Sequence, residues 1–384
     1  MDTRESNDTK RRIFMLSPGP CYNVEHKLKD RCEKLSHDFY GVVLTSGPSY
    51  SKQNYGDFRV ICVKDPFVNS VVSTVIFMVM SFFSLLTGYL KKDPFSLFIT
   101  YDPLKTGLVG AIVTALFSTK LVVEVNGDYT QDVIYDSIKN PHKRKLKKWG
   151  MVTTERYVLK RANGIKLQFD KQIDSFKPLK KQPVISVFPN YVNADHFENG
   201  GETKEVLFIG FPLKIKGVDI LIPAFKKCAN DFPDWKLKIL GYYPDKTELD
   251  NLINGDDRVY HHPPVDSSEI SKHMGQCGIF VIASRTEGVP RVLLESMAAG
   301  KPRIGSDVGG IPRVISHGED GFIFMSEDID DLAEKLRLLM ADKKLRERFG
   351  LASSVRYRKE FSNQQYFRKL TTLYTNTAEK IIQI

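Results

Sequence analysis

Two glutamates stand at a spacing that suits the gripping of vicinal hydroxyls. The stretch Ala283-Ser-Arg-Thr-Glu-Gly-Val-Pro-Arg-Val-Leu-Leu-Glu-Ser-Met-Ala-Ala-Gly-Lys-Pro302 reads as a strand end, a turn and a helix. Glu287 lies in the turn before Gly288, and Glu295 follows eight residues later, a little over two helical turns on. Both can face the carboxyl edge of a parallel sheet, where α/β proteins bind ligands. The helix start adds backbone N–H groups free to meet an anion or a hydroxyl. Taken alone, the same glutamates also read as ordinary acids at a helix start.

Three further places follow strands. Tyr101-Asp102-Pro103 and Asn126-Gly127-Asp128 would present Asp102, Asn126 and Asp128 to the edge of a first sheet. The alternative is turn chemistry, since Asp-Pro and Asn-Gly form turns readily. Ser17-Pro-Gly-Pro20 separates the first strand from the first helix, and Gly19 would let that loop approach a phosphate.

The elements that must position these residues alternate strand and helix, the pattern of parallel α/β folds. In the first half, strands are expected at 13–17, 39–44, 96–101, 120–125, 165–169 and 185–188, with helices at 25–35 and 106–116. A second series restarts at Glu205-Val-Leu-Phe-Ile-Gly210 and continues through a helix at 218–228 and strands at 235–240, 278–283, 302–306 and 322–325. The Pro- and Asn-containing segment 187–197 reads as the linker.

The 283–302 stretch resembles the donor-site signature of the family-4 retaining glycosyltransferases of GT-B architecture. Their E-G-x-P-x-x-x-x-E core stands here as Glu287-Gly-Val-Pro-Arg-Val-Leu-Leu-Glu295. The similarity extends to Met297-Ala-Ala-Gly-Lys-Pro302, Ser306-Asp-Val-Gly-Gly-Ile-Pro312, His317-Gly-Glu-Asp-Gly321 and the Lys216-Gly217 turn within 210–225. Pro189-Asn190 and the closing 361–374 match in placement, so the specific likeness covers about residues 187–375. It implies two Rossmann-like parallel-sheet domains facing a central cleft. Residues 1–12 would be a flexible lead-in, 13–188 the acceptor domain, 189–360 the donor domain, and 361–384 a helix packing back on the first domain.

The resemblance also implies roles. The donor would be a nucleoside diphosphate sugar, with no cofactor and no metal. Glu295 would hold its ribose and Glu287 the transferred sugar. Backbone N–H groups around Val292 and Leu293 would meet the sugar or diphosphate, with Gly210 and Gly288 beside them. Lys216 would neutralise the departing diphosphate, for which a lysine point charge suffices; outside that context, a lysine before glycine reads as a surface residue. Two departures stand out. Phe211 occupies the place of the family's usual arginine, leaving Lys214 as a candidate second cation, and Arg313 replaces the usual acid after Ile311-Pro312. The acceptor-side histidines are replaced by Asp102 and Asn126.

Charge separates the halves. Residues 1–190 hold 29 Lys and Arg against 18 Asp and Glu, whereas residues 191–384 hold 27 against 28. The excess concentrates between Lys139 and Arg161, nine cations with Glu155 as the one acid, which reads either as a polyanion-binding patch or as a solvated helix face. Aromatics for base stacking are few there (Trp149 and Tyr157), so no nucleic acid is expected. Pro66–Leu90 carries no charge. It reads as a domain helix, a membrane-dipping surface helix or a span, and a span would break the first sheet.

Five scattered cysteines and a polar start without a secretory apolar stretch favour a cytoplasmic protein, peripheral on the membrane through 71–90 and 139–161. A carbohydrate or lipid-linked acceptor in cell-surface polysaccharide or glycolipid synthesis fits that placement. Asp328-Ile-Asp330 has metal-ligand spacing but is expected to cap a helix. A non-catalytic sugar-nucleotide-binding subunit stays open through Phe211 and Asn126. An epimerase or hydrolase on the same frame would need a His/Glu pair that the motifs do not supply.

Overall fold

Strands covered on both faces read as unbroken apolar runs, because every second residue has a core to meet on its own side. The computed structural model, which describes residues 10–19, 25–64, 71–136, 138–179, 182–194 and 196–380, builds two such sheets. The lead-in through Thr9, Pro20, Cys21 and the start of the uncharged segment at 66–70 lie outside the described residues.

The chain forms two units: Met1–Thr130, Ile138–Phe188 and Phe367–Ile384 in one, Gln131–Ser137 and Pro189–Tyr366 in the other. The first contains β1 (Arg11–Leu16), α1 (Glu25–Leu35), β2 (Phe39–Gly47), β3 (Ser51–Tyr55), β4 (Phe58–Lys64), α2 (Val71–Leu90), β5 (Leu97–Thr100), α3 (Lys105–Val113), β6 (Lys120–Glu124), α4 (Pro141–Leu159), β7 (Gly164–Leu167) and β8 (Val184–Val187). Its sheet runs β3-β4-β2-β1-β5-β6-β7-β8, parallel throughout except for the β3–β4 hairpin. The strand order reverses between β1 and β5.

The second unit contains β9 (Glu205–Ile209), α5 (Val218–Ala229), β10 (Lys236–Leu240), α6 (Thr247–Ile253), β11 (Val259–His262), α7 (Ser267–Gln276), β12 (Ile279–Ile282), α8 (Arg291–Ala298), β13 (Arg303–Ser306), α9 (Ile311–Val314), β14 (Gly321–Phe324), α10 (Ile329–Ala341) and α11 (Lys343–Arg356). Then α12 (Asn363–Glu379) starts in the second unit and ends in the first. This sheet is wholly parallel, in the order β11-β10-β9-β12-β13-β14, and reverses between β9 and β12. Alternate residues of β12 feed opposite cores: Ile279 and Val281 pack with α5 and α10, Phe280 and Ile282 with α8. Asp328 caps α10, its carboxylate accepting from Asp330 and Asp331 N–H at 3.0 and 2.9 Å, as the sequence suggested.

Three strands are absent from the sequence reading: the edge strands β3 and β11, and the interior strand β4, whose alternating Phe58, Val60 and Cys62 do carry a strand signal. β3 is the polar run Ser-Lys-Gln-Asn-Tyr on one edge, β4 pairs with it, and β11 ends in two histidines on the edge of the other sheet. Edge strands lack the two-sided burial that writes an apolar run. Arg11 and Arg12, expected in a flexible lead-in, open β1; ion pairs to Glu379 (2.8 Å) and Asp93 (2.9 Å) fix them.

A buried charge group ties α12 to the first sheet. Arg31 of α1 pairs with Glu124 and with the Tyr374 hydroxyl, which also donates to Glu124 at 3.0 Å. Burial alone would raise the Glu124 pKa; Arg31 and Lys166 overcome it and hold the carboxyl below its usual range. Burial pushes Lys166 down to about 8.

Glu155 of α4 is the opposite case. It is buried, its Oε2 has no hydrogen-bond partner, and burial followed by the Asp128 charge pushes it up to about 8. A carboxyl raised this far from 4.5 favours the folded state at low pH and loses that contribution as pH rises to about 8. Glu155→Gln should therefore flatten the fall in melting temperature between pH 5 and 8. A variant with the wild-type slope would show that Glu155 ionises freely in the folded chain.

Candidate functional site

Gly210 follows β9 and Ala283 follows β12, the two strands between which the sheet order reverses. In open α/β sheets the crevice outside the carboxyl ends of such strands is where ligands sit. The loop after β9 carries Lys216 and the turn after β12 carries Glu287, and their side chains form an ion pair. Ser284 donates to the same Glu287 oxygen at 3.0 Å. Both charged side chains are largely covered, at 23% and 12% exposure, so the pair is oriented but still reachable.

Close backbone crossings hold this pair in place. Gly217 has φ +69°, and a Cβ there would stand 1.9 Å from the Ala283 carbonyl oxygen. Gly309 has φ +55°, and its Cβ would stand 1.9 Å from the Glu287 carbonyl oxygen. The Gly310 N–H donates to the Gly288 carbonyl at 2.8 Å. Only glycine permits a left-handed backbone at so close an approach. The Gly-Gly of the 306–312 motif thus serves as the shelf under the Glu287-Gly288 turn. Arg285 adds a staple: its N–H donates to the Ile215 carbonyl at 2.9 Å, and its guanidinium meets Asp219 at 2.8 Å and Glu327 at 2.6 Å.

The other donor-side residues are placed as follows. Glu295 is mostly buried in α8 and pairs with Arg291 at 3.5 Å, not with Lys216. Pro290 precedes α8 with φ −65°, a value its ring fixes. Val292 lies in the first turn of α8, whose N–H groups have no carbonyl within the helix to meet. The Leu293 N–H is engaged by the Pro290 carbonyl at 3.1 Å. Lys214, the candidate second cation, is exposed and pairs with Glu248 (2.8 Å) and Asp219 (3.1 Å). Phe211 packs edge-on against Tyr242 and Tyr243, and the Tyr243 hydroxyl donates to the Gly210 carbonyl at 2.8 Å.

In the first unit, Gly19 and Asp102 follow β1 and β5, the strands at that sheet's reversal. Gly19 has φ +73° and a Cβ there would meet Ser46 Oγ at 2.4 Å. Asp102 accepts from Leu104 N–H (2.8 Å) and Thr106 Oγ (2.6 Å), so its carboxylate starts α3, and burial raises its pKa. Asn126 donates to the Tyr101 carbonyl, while its Oδ1 is buried without a hydrogen-bond partner. Asp128 closes a turn on Thr130, at 3.1 Å to N–H and 2.6 Å to Oγ. Gln168 and Gln172 hold this loop by donating to the Asn126 and Gly127 carbonyls at 2.8 and 2.9 Å.

Sequence reasoning singled out neither Ser284, Arg285 nor the two glutamines, and it named Gly217 only as part of the Lys216-Gly217 turn. Ser284 and Arg285 lay inside the quoted stretch; the Ser284 partner Glu287 lies in it too, whereas those of Arg285 (Ile215, Asp219 and Glu327) come from distant segments. Among the described residues no group of three or more His, Cys, Asp or Glu is placed to hold a metal.

Residues 193–354 match the family model described as "Glycosyl transferases group 1". An exopolysaccharide phosphotransferase of Streptomyces coelicolor is 38% identical over 35% of this chain, a stretch that spans only 15% of that protein's length. Sucrose-phosphate synthase of Thermosynechococcus elongatus superposes with a TM-score of 0.74 at 18% identity, covering 96% of this chain and 99% of that one. Anabaena HepE, solved with UDP-glucose, superposes with a TM-score of 0.66 at 16% identity, covering 96% and 98%. The chain has the GT-B fold, two parallel α/β domains, and its second half is similar in sequence to several glycosyltransferases. The matched description does not single out the family-4 type.

Gly217→Ala and Gly309→Ala should each cost about 1–3 kcal/mol from backbone strain alone and weaken nucleotide binding. Gly150→Ala, in α4 with open space around it, should instead stabilise by about 0.5–1 kcal/mol. Urea unfolding with UDP and GDP titration checks all three. Site variants that match Gly150→Ala in both readouts would show that the close crossings are not required.

Proposed function

We propose that the chain is a retaining, family-4-type glycosyltransferase that moves a hexosyl group from a nucleoside diphosphate sugar to an acceptor hydroxyl without a metal. The observation that carries this reading is the Lys216–Glu287 pair at the strand-order reversal of the second sheet, shelved on Gly217, Gly309 and Gly310.

In this mechanism the bond between the anomeric carbon and the diphosphate breaks, and the electron pair leaves with the diphosphate. Lys216, held by Glu287, stands ready to meet the charge that develops there, and a fixed cation needs no reorganisation at that moment. Glu287 keeps a second carboxylate oxygen to accept from the hydroxyls of the transferred sugar. Glu295 serves the ribose hydroxyls, and the first-turn N–H of Val292 faces the sugar or diphosphate. The acceptor oxygen bonds to the anomeric carbon on the face the diphosphate left, and its proton passes to the departing diphosphate oxygen. Asp102, Asn126 and Asp128 line the acceptor side. A carbohydrate or lipid-linked acceptor in cell-surface polysaccharide or glycolipid synthesis is the class that fits, with the protein on the cytoplasmic side of the membrane.

One observation favours a second reading, a sugar-nucleotide-binding subunit without turnover. Phe211 stands where the family's arginine is usual, and Lys214 is already paired with Glu248 and Asp219.

Purified protein incubated with UDP-, GDP- and dTDP-sugars should release one nucleoside diphosphate slowly, with or without EDTA. Lys216→Ala and Glu287→Ala should each lower that release about 100-fold or more. Nucleotide binding without release from any donor or added acceptor would favour the binding subunit. No binding at all would overturn the site.

A further inference from the structure

The uncharged helix α2 is turned inside out. Its inward row is Ser73, Phe77, Ser81, Leu85 and Gly88, two serines and a glycine among five. Its outward row is Val72, Val75, Val79 and Phe83, spaced three to four residues apart and therefore on one face. Val75, Val79 and Phe83 are 53%, 48% and 58% exposed in mid-helix. A helix that met only water outside would carry charges there and its valines within. Tyr89 and Leu90 continue the exposed apolar surface, and the exposed Lys91 and Lys92 close it.

The helix does not leave the fold. Phe77 and Leu85 pack in the core with Phe14 and Phe98 of the sheet. β4 before α2 and β5 after it belong to the same sheet, so α2 runs along the sheet's face. α3 packs against α2 on one side and α4 on the other. The three helices form a single layer of the first unit. α4 brings the complementary feature. Its one acid, Glu155, is buried, so the charged residues α4 exposes are all cations, among them Lys143, Lys145 and Lys147. Between them Leu146 and Trp149 stand 66% exposed. Apolar side chains set among lysines are what the headgroup boundary of an anionic bilayer receives.

We propose that the α2–α3–α4 layer is a membrane-docking face, on which α2 lies in the plane of an anionic bilayer with its Val72–Phe83 row immersed while the lysines and Trp149 of α4 engage the headgroups. The proposal does not depend on the chemistry at Lys216 and Glu287, and its test reads no turnover.

The full chain is sedimented with vesicles of phosphatidylcholine, or of phosphatidylcholine with roughly one third phosphatidylglycerol. Binding should favour the anionic vesicles and weaken as salt rises. Trp235 is buried, so Trp149 is the exposed one of the two tryptophans and its emission should shift to the blue on the anionic vesicles. Val79→Asp with Phe83→Asp, and separately Lys143→Glu with Lys145→Glu and Lys147→Glu, should each weaken binding at least about tenfold. All five positions are exposed, so melting temperatures should stay close to wild type. Equal binding to both vesicles, no Trp149 shift, or variants that bind like wild type would overturn the proposal. So would resistance to alkaline carbonate, the mark of a span, or a dimer that the Val79/Phe83 variant dissociates without any vesicle binding by wild type, the mark of a second copy on this face.

Discussion

The carbonyl oxygens of Ala283 and Glu287 occupy the places that side-chain carbons would take at residues 217 and 309. This exclusion fixes how the second unit's sheet presents its edge. Because the backbone can cross so closely there, the loop after β9 and the turn after β12 lie side by side, and Lys216 and Glu287 become neighbours across 71 residues of chain. The same crossing at Gly309 brings the β13–α9 segment under the turn. Three separate stretches of sequence are thereby locked into one surface. Arg285 strengthens the lock from the outside by joining Asp219 and Glu327. A site made this way holds its charges in place through the backbone, the arrangement that the proposed catalysis by fixed charge requires.

The first unit is organised around buried charge. Arg31, Glu124, Lys166 and Tyr374 come from α1, the edge of β6, β7 and α12, and each answers another's polarity. Isolated buried charges are costly, whereas a hydrogen-bonded group is tolerated and specifies one arrangement. Here it ties α12, the last described element, to the first sheet. Gly164 of β7 belongs to the same seam, since a Cβ there would meet Thr377 Oγ at 2.4 Å.

Charge and polarity are divided between the units in a way that fits two tasks. The second half is close to neutral, and its cations are mostly paired near the Lys216–Glu287 site. The first half carries the excess positive charge on α4, beside a helix that shows valine and phenylalanine to the outside. Solubility alone would place charge on α2 and acids among the lysines of α4. α2 carries no charge and the one acid of α4 is buried, the composition on which the proposed membrane-docking face rests.

The sequence by itself determined the alternation of strands and helices, because a strand buried on both faces must be apolar throughout. It also drew attention to the residues around Glu287 and Lys216, because their types and order resemble a donor-site signature. The opening helix at 25–35 was legible to the residue. Only the tertiary structure decided the rest. The edge strands β3 and β11 are polar or mixed, since one side of their ladder meets water, and they left no periodic signal. The roles of Gly217, Gly309 and Gly310 depend on which distant carbonyl each one faces, which no local pattern encodes. Asp102 had two readings in sequence, and its bonds to Leu104 and Thr106 place it at the start of α3. The lone acid of the basic cluster carries no sign in sequence of which way it faces, and α4 turns Glu155 inward, away from the exposed lysines. Helix rotation against a sheet is set by the whole core, so which face of α2 or α4 meets the outside could not be read from either helix alone.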